Sequence, residues 1–192
     1  MLSETAARWL LVLHTALGAA TVAAATHLVV WMRGYRRGDF ARHRAVRKFA
    51  WIVVALFGGA FVAGNAMYPT YKVEVRAAFL EDASAITGDA ELRAREARRV
   101  AVREGAVPSV AAPTPELVHR AAAAARWFDM KEYWLVLGLA VAAAVALIAA
   151  LWDPREGGAV IAPLVLALAT IAAATAWLGA IIGVMTAAWR AV

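Results

Sequence analysis

The stretch from Tyr133 to Trp152 reads YWLVLGLAVAAAVALIAALW, and none of its 20 residues is charged. A helix of about 20 apolar residues is long enough to cross the hydrocarbon core of a bilayer. Three further apolar stretches run from about residue 7 to 32, from 49 to 68 and from 159 to 189. We therefore predict an all-α integral membrane protein, a bundle of four transmembrane helices that forms a single membrane domain over residues 1–192.

The composition of the whole chain agrees with this prediction. Hydrophobic residues make up 63% of it and charged residues 18%, whereas soluble domains are about half apolar and a quarter charged. The chain contains no cysteine, which excludes disulfides, thiolate catalysis, Cys-ligated iron–sulfur clusters and covalently attached haem within it. Neither a catalytic motif nor the HExxH pattern of a zinc site is present.

The loop of residues 33–48 determines the predicted orientation. Its seven basic residues are Arg33, Arg36, Arg37, Arg42, Arg44, Arg47 and Lys48, against one acidic residue, Asp39. Short basic loops stay in the cytoplasm. We therefore predict that this loop is cytoplasmic and that both termini lie outside, in the inner membrane of a bacterium. Nucleic-acid binding is not expected, because the cluster lies between two apolar spans.

Residues 69–132 form the longest polar segment, and we predict that they make a helical hairpin outside the membrane. Residues 90–104 read as a solvated helix with pairs such as Glu91 and Arg95 four positions apart. A second helix starts at Thr114 as N-cap with Pro115 in the first position. Nothing breaks it before Trp152, so it continues into the third span as one long helix.

Two histidines, His14 and His27, lie in the first span, and ionisable residues inside a membrane are candidates for function. Neutral imidazole can ligate haem iron, so one interpretation is an axial ligand of a b-type haem. The other is a histidine hydrogen-bonded across the bundle. The two rings are 13 residues apart, hence about 20 Å apart along the helix and roughly 140° around it. They cannot bind one iron together.

The second ligand of such a haem is missing from the other spans, which contain no histidine. Met67 and Met185 lie near the outer ends of spans two and four, at a depth similar to that of His14. We therefore rank His14, with Met67 or Met185, above His27 as the haem ligand. Otherwise another chain supplies the second ligand.

Other polar residues carry weaker signals. Asp129 and Glu132 lie at the mouth of the third span, where they either bind a cation or a partner or are simply interfacial. No charged side chain is predicted deep in any span, which argues against ion-coupled transport. Small residues at Thr175, Gly179 and Gly183 form a face for close helix packing, against a helix of this chain or of another.

Two function classes remain open from these residues. The first is a non-catalytic membrane subunit or scaffold that docks a partner through its outer hairpin. The second is a haem b electron-transfer subunit that uses His14. The expected partners are the lipid bilayer and either other membrane or extracytoplasmic subunits or further copies of this chain. The absence of a second histidine ligand favours the scaffold.

Overall fold

The structure is a computed structural model that describes residues 3–107, 115–154, 156 and 158–191. All regular secondary structure in these ranges is helical. The α-helices are α1 (Glu4–Met32), α2 (His43–Thr70), α3 (Ala83–Glu104), α4 (Pro115–Leu151) and α5 (Gly158–Ala191). A 3₁₀ helix, Arg33–Arg37, follows α1, and a π-helical segment, Tyr71–Leu80, follows α2.

In the described residues, four helices are long and apolar enough to cross a membrane: α1, α2, α4 and α5, the first two with their 3₁₀ and π extensions. This confirms the predicted all-α class and the four apolar helices. In the most apolar window of each helix, only 22–44% of the residues are buried. Most of that apolar surface therefore faces outward, as expected for helices surrounded by lipid.

The four long helices pack in a ring. Helix α1 packs on α2, α2 on α4, α4 on α5, and α5 again on α1. Their shared core contains five large side chains that are almost completely buried: Met32, Val46, Val53, Val145 and Val165. Contacts give the helix directions: Gly59 meets Leu17 and Gly64 meets His14, so α1 and α2 are antiparallel, and Gly138 meets Thr175 and Gly179 meets Leu135, so α4 and α5 are antiparallel.

Small residues allow α4 and α5 to approach closely. A Cβ atom added at Gly138 would lie 2.5 Å from the Thr175 Cγ2 atom, and one at Gly179 would lie 2.6 Å from Leu135 Cδ2. Thr175 and Gly179, with Gly183 one turn further on, are the small-residue face predicted from the sequence. Its partner is therefore a helix of the same chain, α4.

The segment that precedes α4 builds a second, smaller core. Leu80, Ile86, Ala121 and Ala125 are buried together, so the π-helical segment, the start of α3 and the start of α4 pack on one another. We call residues 71–107 and 115–128 the head, and the adjacent end of the bundle the head end. The opposite end, which carries residues 33–48, is the basic end.

The head helices differ in part from the sequence prediction. Helix α3 starts at Ala83 rather than Ala90, because Asp82 caps it by accepting hydrogen bonds from the Ser84 and Ala85 N–H groups. A hydrogen bond from the Ser84 hydroxyl, together with these two backbone bonds, holds the pKa of the Asp82 carboxyl below its ordinary value. Helix α4 is continuous over 37 residues, as predicted, although Thr114 lies outside the described residues.

Candidate functional site

His14 lies on α1 at the head end of the bundle and is half-buried against α2. Its Nδ1 atom is 2.8 Å from the Ala60 carbonyl oxygen. A carbonyl only accepts, so Nδ1 carries the proton, and the neutral ring keeps its lone pair on Nε2. Gly64 provides the space for the ring, since a Cβ there would lie 3.1 Å from His14 Cε1.

Lys131 lies on α4 in the same end of the bundle and is only 7% exposed. Its Nζ atom would be 3.4 Å from a Cβ at Gly183 on α5 and is 5.1 Å from the centroid of the Phe128 ring. Its charge is near enough to interact with His14. Among the described residues, Lys131 forms no salt bridge and no hydrogen bond.

The sequence predicted no charged side chain deep in any span, and Lys131 lies two residues before the third span, so its burial does not contradict that prediction but was not foreseen. The apolar stretch on α4 starts only at Tyr133, so the sequence places Lys131 just outside the span. Helix α5, however, runs past this level to Ala191, and its Gly183 covers the lysine. The sequence contained a signal for this burial: Lys131 lies next to the apolar span that starts at Tyr133, and Gly183 lies at a matching depth in the last span.

The rim of the site is a network of ion pairs and tyrosines. Arg76 donates from Nη1 to both carboxylate oxygens of Asp129, at 2.6 and 2.8 Å, and from Nε to Glu81 at 2.7 Å. Asp129 thus ties the π-helical segment to α4. Glu132 lies next to the Tyr68 hydroxyl on α2.

The two candidate methionines differ in burial and in their position relative to His14. Met67 is half-buried and shares the face of α2 that contacts His14, because it follows Ala60 by seven residues and Gly64 by three. Met185 is 61% exposed. It comes two positions after Gly183, about 200° around α5, so it points away from Lys131 and α4.

His27, the second histidine of α1, lies apart from this site and is exposed. Its ring centroid is 4.4 Å from that of Trp31 and 5.5 Å from that of Phe49. These rings cover one side of the imidazole at the surface of the bundle. One residue earlier, Thr26 accepts a hydrogen bond from Trp177 Nε1 at 3.0 Å, so Trp177 of α5 contacts α1.

His43 belongs to an aromatic cluster at the basic end. Its Nδ1 atom is 2.8 Å from the Tyr35 hydroxyl, and its ring packs edge-on against Trp152 at a centroid distance of 5.7 Å. Phe40 packs edge-on against the same tryptophan. These contacts join the 33–48 loop to the end of α4, which gives them a structural role.

Three features define what the head-end site can do: an open imidazole nitrogen, a buried amino group and an adjacent carboxylate. In the described part of the chain, no three His, Asp or Glu side chains lie together as metal ligands would.

Comparison with protein families, with characterised proteins and with solved structures finds no significant match. The class is therefore an all-helical bundle with four candidate membrane helices.

Proposed function

We propose that this protein is a non-catalytic integral membrane subunit or scaffold that docks another protein through its head. The observation that carries the proposal is α3, which stands on the head core with most of its length uncovered. Leu92 is 61% exposed, Val100 46% and Val102 85%. Exposed apolar side chains among arginines are typical of a protein-binding surface.

The charges on α3 indicate the chemistry of the partner. Three arginines are paired along the helix: Arg93 with Asp89, Arg95 with Glu91 and Arg99 with Glu96. Arg98 and Arg103 form no salt bridge within the described residues. Val100 lies three positions before Arg103 and Val102 four positions after Arg98, so each unpaired cation has an exposed apolar neighbour on its own side of α3. This combination suits an acidic protein face that also carries apolar side chains.

The proposed orientation puts this surface on the extracytoplasmic side of the membrane. The head would be a helical hairpin of α3 and the start of α4, standing on the outer face of the membrane. The basic loop would be cytoplasmic and both termini outside. The support is the excess of basic residues in the 33–48 loop, together with an even number of candidate spans.

Single-cysteine variants test both parts of the proposal, because the chain has no cysteine of its own. Val102→Cys places a thiol on the proposed docking surface, and Arg44→Cys places one on the basic loop. A membrane-impermeant maleimide is applied to intact spheroplasts, to opened native membranes and to purified protein. We expect the Arg44→Cys thiol to react only after the membranes are opened.

The Val102→Cys thiol should react rapidly in purified protein and at least about tenfold more slowly in opened native membranes, where the partner covers it. The Arg44→Cys thiol is the matched control, since it should react equally fast in both. Equal rates for Val102→Cys in the two preparations would contradict docking through α3. Reaction of Arg44→Cys in intact spheroplasts would reverse the orientation. Protection that persists in purified protein and is lost on dilution would make the partner a second copy.

A second candidate function, haem b binding, is favoured by the hydrogen bond of His14. Histidines that ligate metals usually donate their other ring N–H to a carbonyl or carboxylate, which fixes the tautomer and orients the ring. His14 Nδ1 has this arrangement with Ala60, and Nε2 is left to bind iron. Met67 is the better placed of the two methionines as a second ligand; Met185 and His27 remain weaker candidates.

A further inference from the structure

A groove of about 420 Å³ opens at the basic end of the bundle, between the 3₁₀ helix and α5. Arg36 lines it on one side, and Pro163, Leu166 and Ala167 line it on the other. The groove therefore combines one cationic side chain with an apolar wall. It lies at the end of the bundle opposite to His14 and Lys131, and nothing in the proposed docking of the head uses it.

The apolar wall runs along the outward side of α5. Pro163 and Ala167 are exposed, one turn apart, while Leu166 between them is half-buried against the main core. Pro163 is five residues from the start of α5 at Gly158, a rise of about 7.5 Å. The wall thus begins about one turn inside the apolar stretch of α5, and Arg36 lies at the polar end of the groove.

The basic end carries an excess of positive charge: residues 33–48 together with the turn of residues 153–158 contain eight basic and three acidic side chains. None of the salt bridges in the described residues involves a basic residue of the 33–48 loop. Seven cations there face one aspartate, and the Asp39 side chain accepts a hydrogen bond from the Ala41 N–H. Anions from outside the chain are needed for the excess of positive charge, and a bilayer surface provides them as lipid headgroups.

We propose that this groove is a binding site for an anionic glycerophospholipid. The lipid phosphate pairs with the Arg36 guanidinium, which is shaped to bind phosphate oxygens in a bidentate manner. One acyl chain lies along Pro163, Leu166 and Ala167. The apolar wall favours a lipid over a free phosphate ion, because its side chains can contact an acyl chain but offer no hydrogen-bond donor to a phosphate.

Native mass spectrometry of the purified protein in detergent tests the site, with phosphatidylglycerol and phosphatidylcholine as the lipid probes. We expect one phosphatidylglycerol to remain bound at lipid concentrations that leave phosphatidylcholine unbound. Arg36→Gln should weaken phosphatidylglycerol binding about tenfold or more, the effect of one charge-assisted contact. Arg44→Gln removes the same charge from an exposed position that does not line the groove and should change binding less than about threefold.

The apolar wall is tested by Ala167→Trp, which fills the groove without altering the charge. Leu164→Trp is its control, since Leu164 is 56% exposed on the same helix but does not line the groove. Only Ala167→Trp should remove the bound lipid, and circular dichroism establishes that each variant is folded. Equal losses from Arg36→Gln and Arg44→Gln, no preference for phosphatidylglycerol, or displacement of the lipid by millimolar glycerol phosphate would each overturn the proposal.

Discussion

The burial of the Lys131 ammonium group has an energetic cost. An ammonium group that leaves water loses hydration, which must be replaced by hydrogen bonds or a counter-charge. Lys131 is 7% exposed, and the described residues offer it the face of the Phe128 ring at 5.1 Å and the nearby charge of Glu132, with which it forms no salt bridge. A cation–π contact offsets only part of the cost of desolvation. The lysine is therefore a destabilising feature of the isolated chain.

Replacing this lysine with methionine removes the charge and keeps an unbranched side chain of similar length. We expect Lys131→Met to stabilise the purified protein by about 1–3 kcal/mol, the usual cost of a buried polar group without a partner. The measurement is unfolding by SDS titration in mixed micelles, followed by tryptophan fluorescence. Lys72→Met, at an exposed lysine, should change the free energy of unfolding by less than about 0.5 kcal/mol. A Lys131→Met variant that is less stable than the parent would show that the amine has a favourable partner.

Small residues hold neighbouring helices together along two seams. Between α4 and α5, Gly138 meets Thr175 and Gly179 meets Leu135. Between α1 and α2, a Cβ at Gly59 would lie 3.4 Å from Leu17 Cδ1, and Gly64 meets His14. Lipid tails are as apolar as leucine, so helices in a membrane associate through such close contacts rather than through hydrophobic burial. The seams therefore contribute much of the packing energy of the ring.

Two glycine-to-alanine substitutions separate packing from backbone effects. A Cβ at Gly138 would lie 2.5 Å from Thr175 and 2.9 Å from Phe57, whereas a Cβ at Gly58 has nothing within 4 Å. Gly138→Ala should destabilise the protein by about 1–3 kcal/mol through overpacking. Gly58→Ala should be neutral or stabilise it by up to about 1 kcal/mol, because alanine favours the helix. Thermal unfolding in detergent compares them, and equal effects would refute close packing at Gly138.

The whole molecule combines a ring of four helices with a head that carries its own small core. Leu80 and Ile86 from the connecting segment pack on Ala121 and Ala125 of α4, and Arg76 joins the same segment to Asp129. The head is thus anchored to the helix that enters the bundle. A fixed head suits docking, because a rigid surface loses less conformational entropy on binding than a flexible one.

Haem binding is a question for the whole assembly, because, of the histidines in the described residues, only His14 lies in the bundle at its head end. If Met67 completes the site, the isolated protein binds haem; if another chain does, only the native complex contains it. Reduced-minus-oxidised spectra of both preparations distinguish these cases. The haem candidate predicts that His14→Ala abolishes the signal and His27→Ala leaves it. A native complex without a haem signal removes the candidate, and a signal unaffected by His14→Ala removes this ligand.

The sequence by itself determined the helical class and the location of the four apolar helices. Both depend on uninterrupted apolar length, which is a local property of the chain and was readable at Tyr133–Trp152. The continuity of α4 could also be predicted from local sequence, since no proline follows Pro115 within it. Its first glycine is Gly138, which lies inside the bundle where α4 contacts Thr175 of α5. The small-residue face of α5 was also visible, but its partner was not.

Only the tertiary structure decided which helices meet and which side chains are buried where they meet. Lys131 is buried because Gly183, more than fifty residues later, covers it, and His14 has a defined tautomer because Ala60 lies opposite. Ion pairs between distant segments, such as Arg76 with Asp129, follow from the same packing. These features depend on the relative positions of separate helices, and the apolar pattern of one helix carries no information about the side chains of its neighbours.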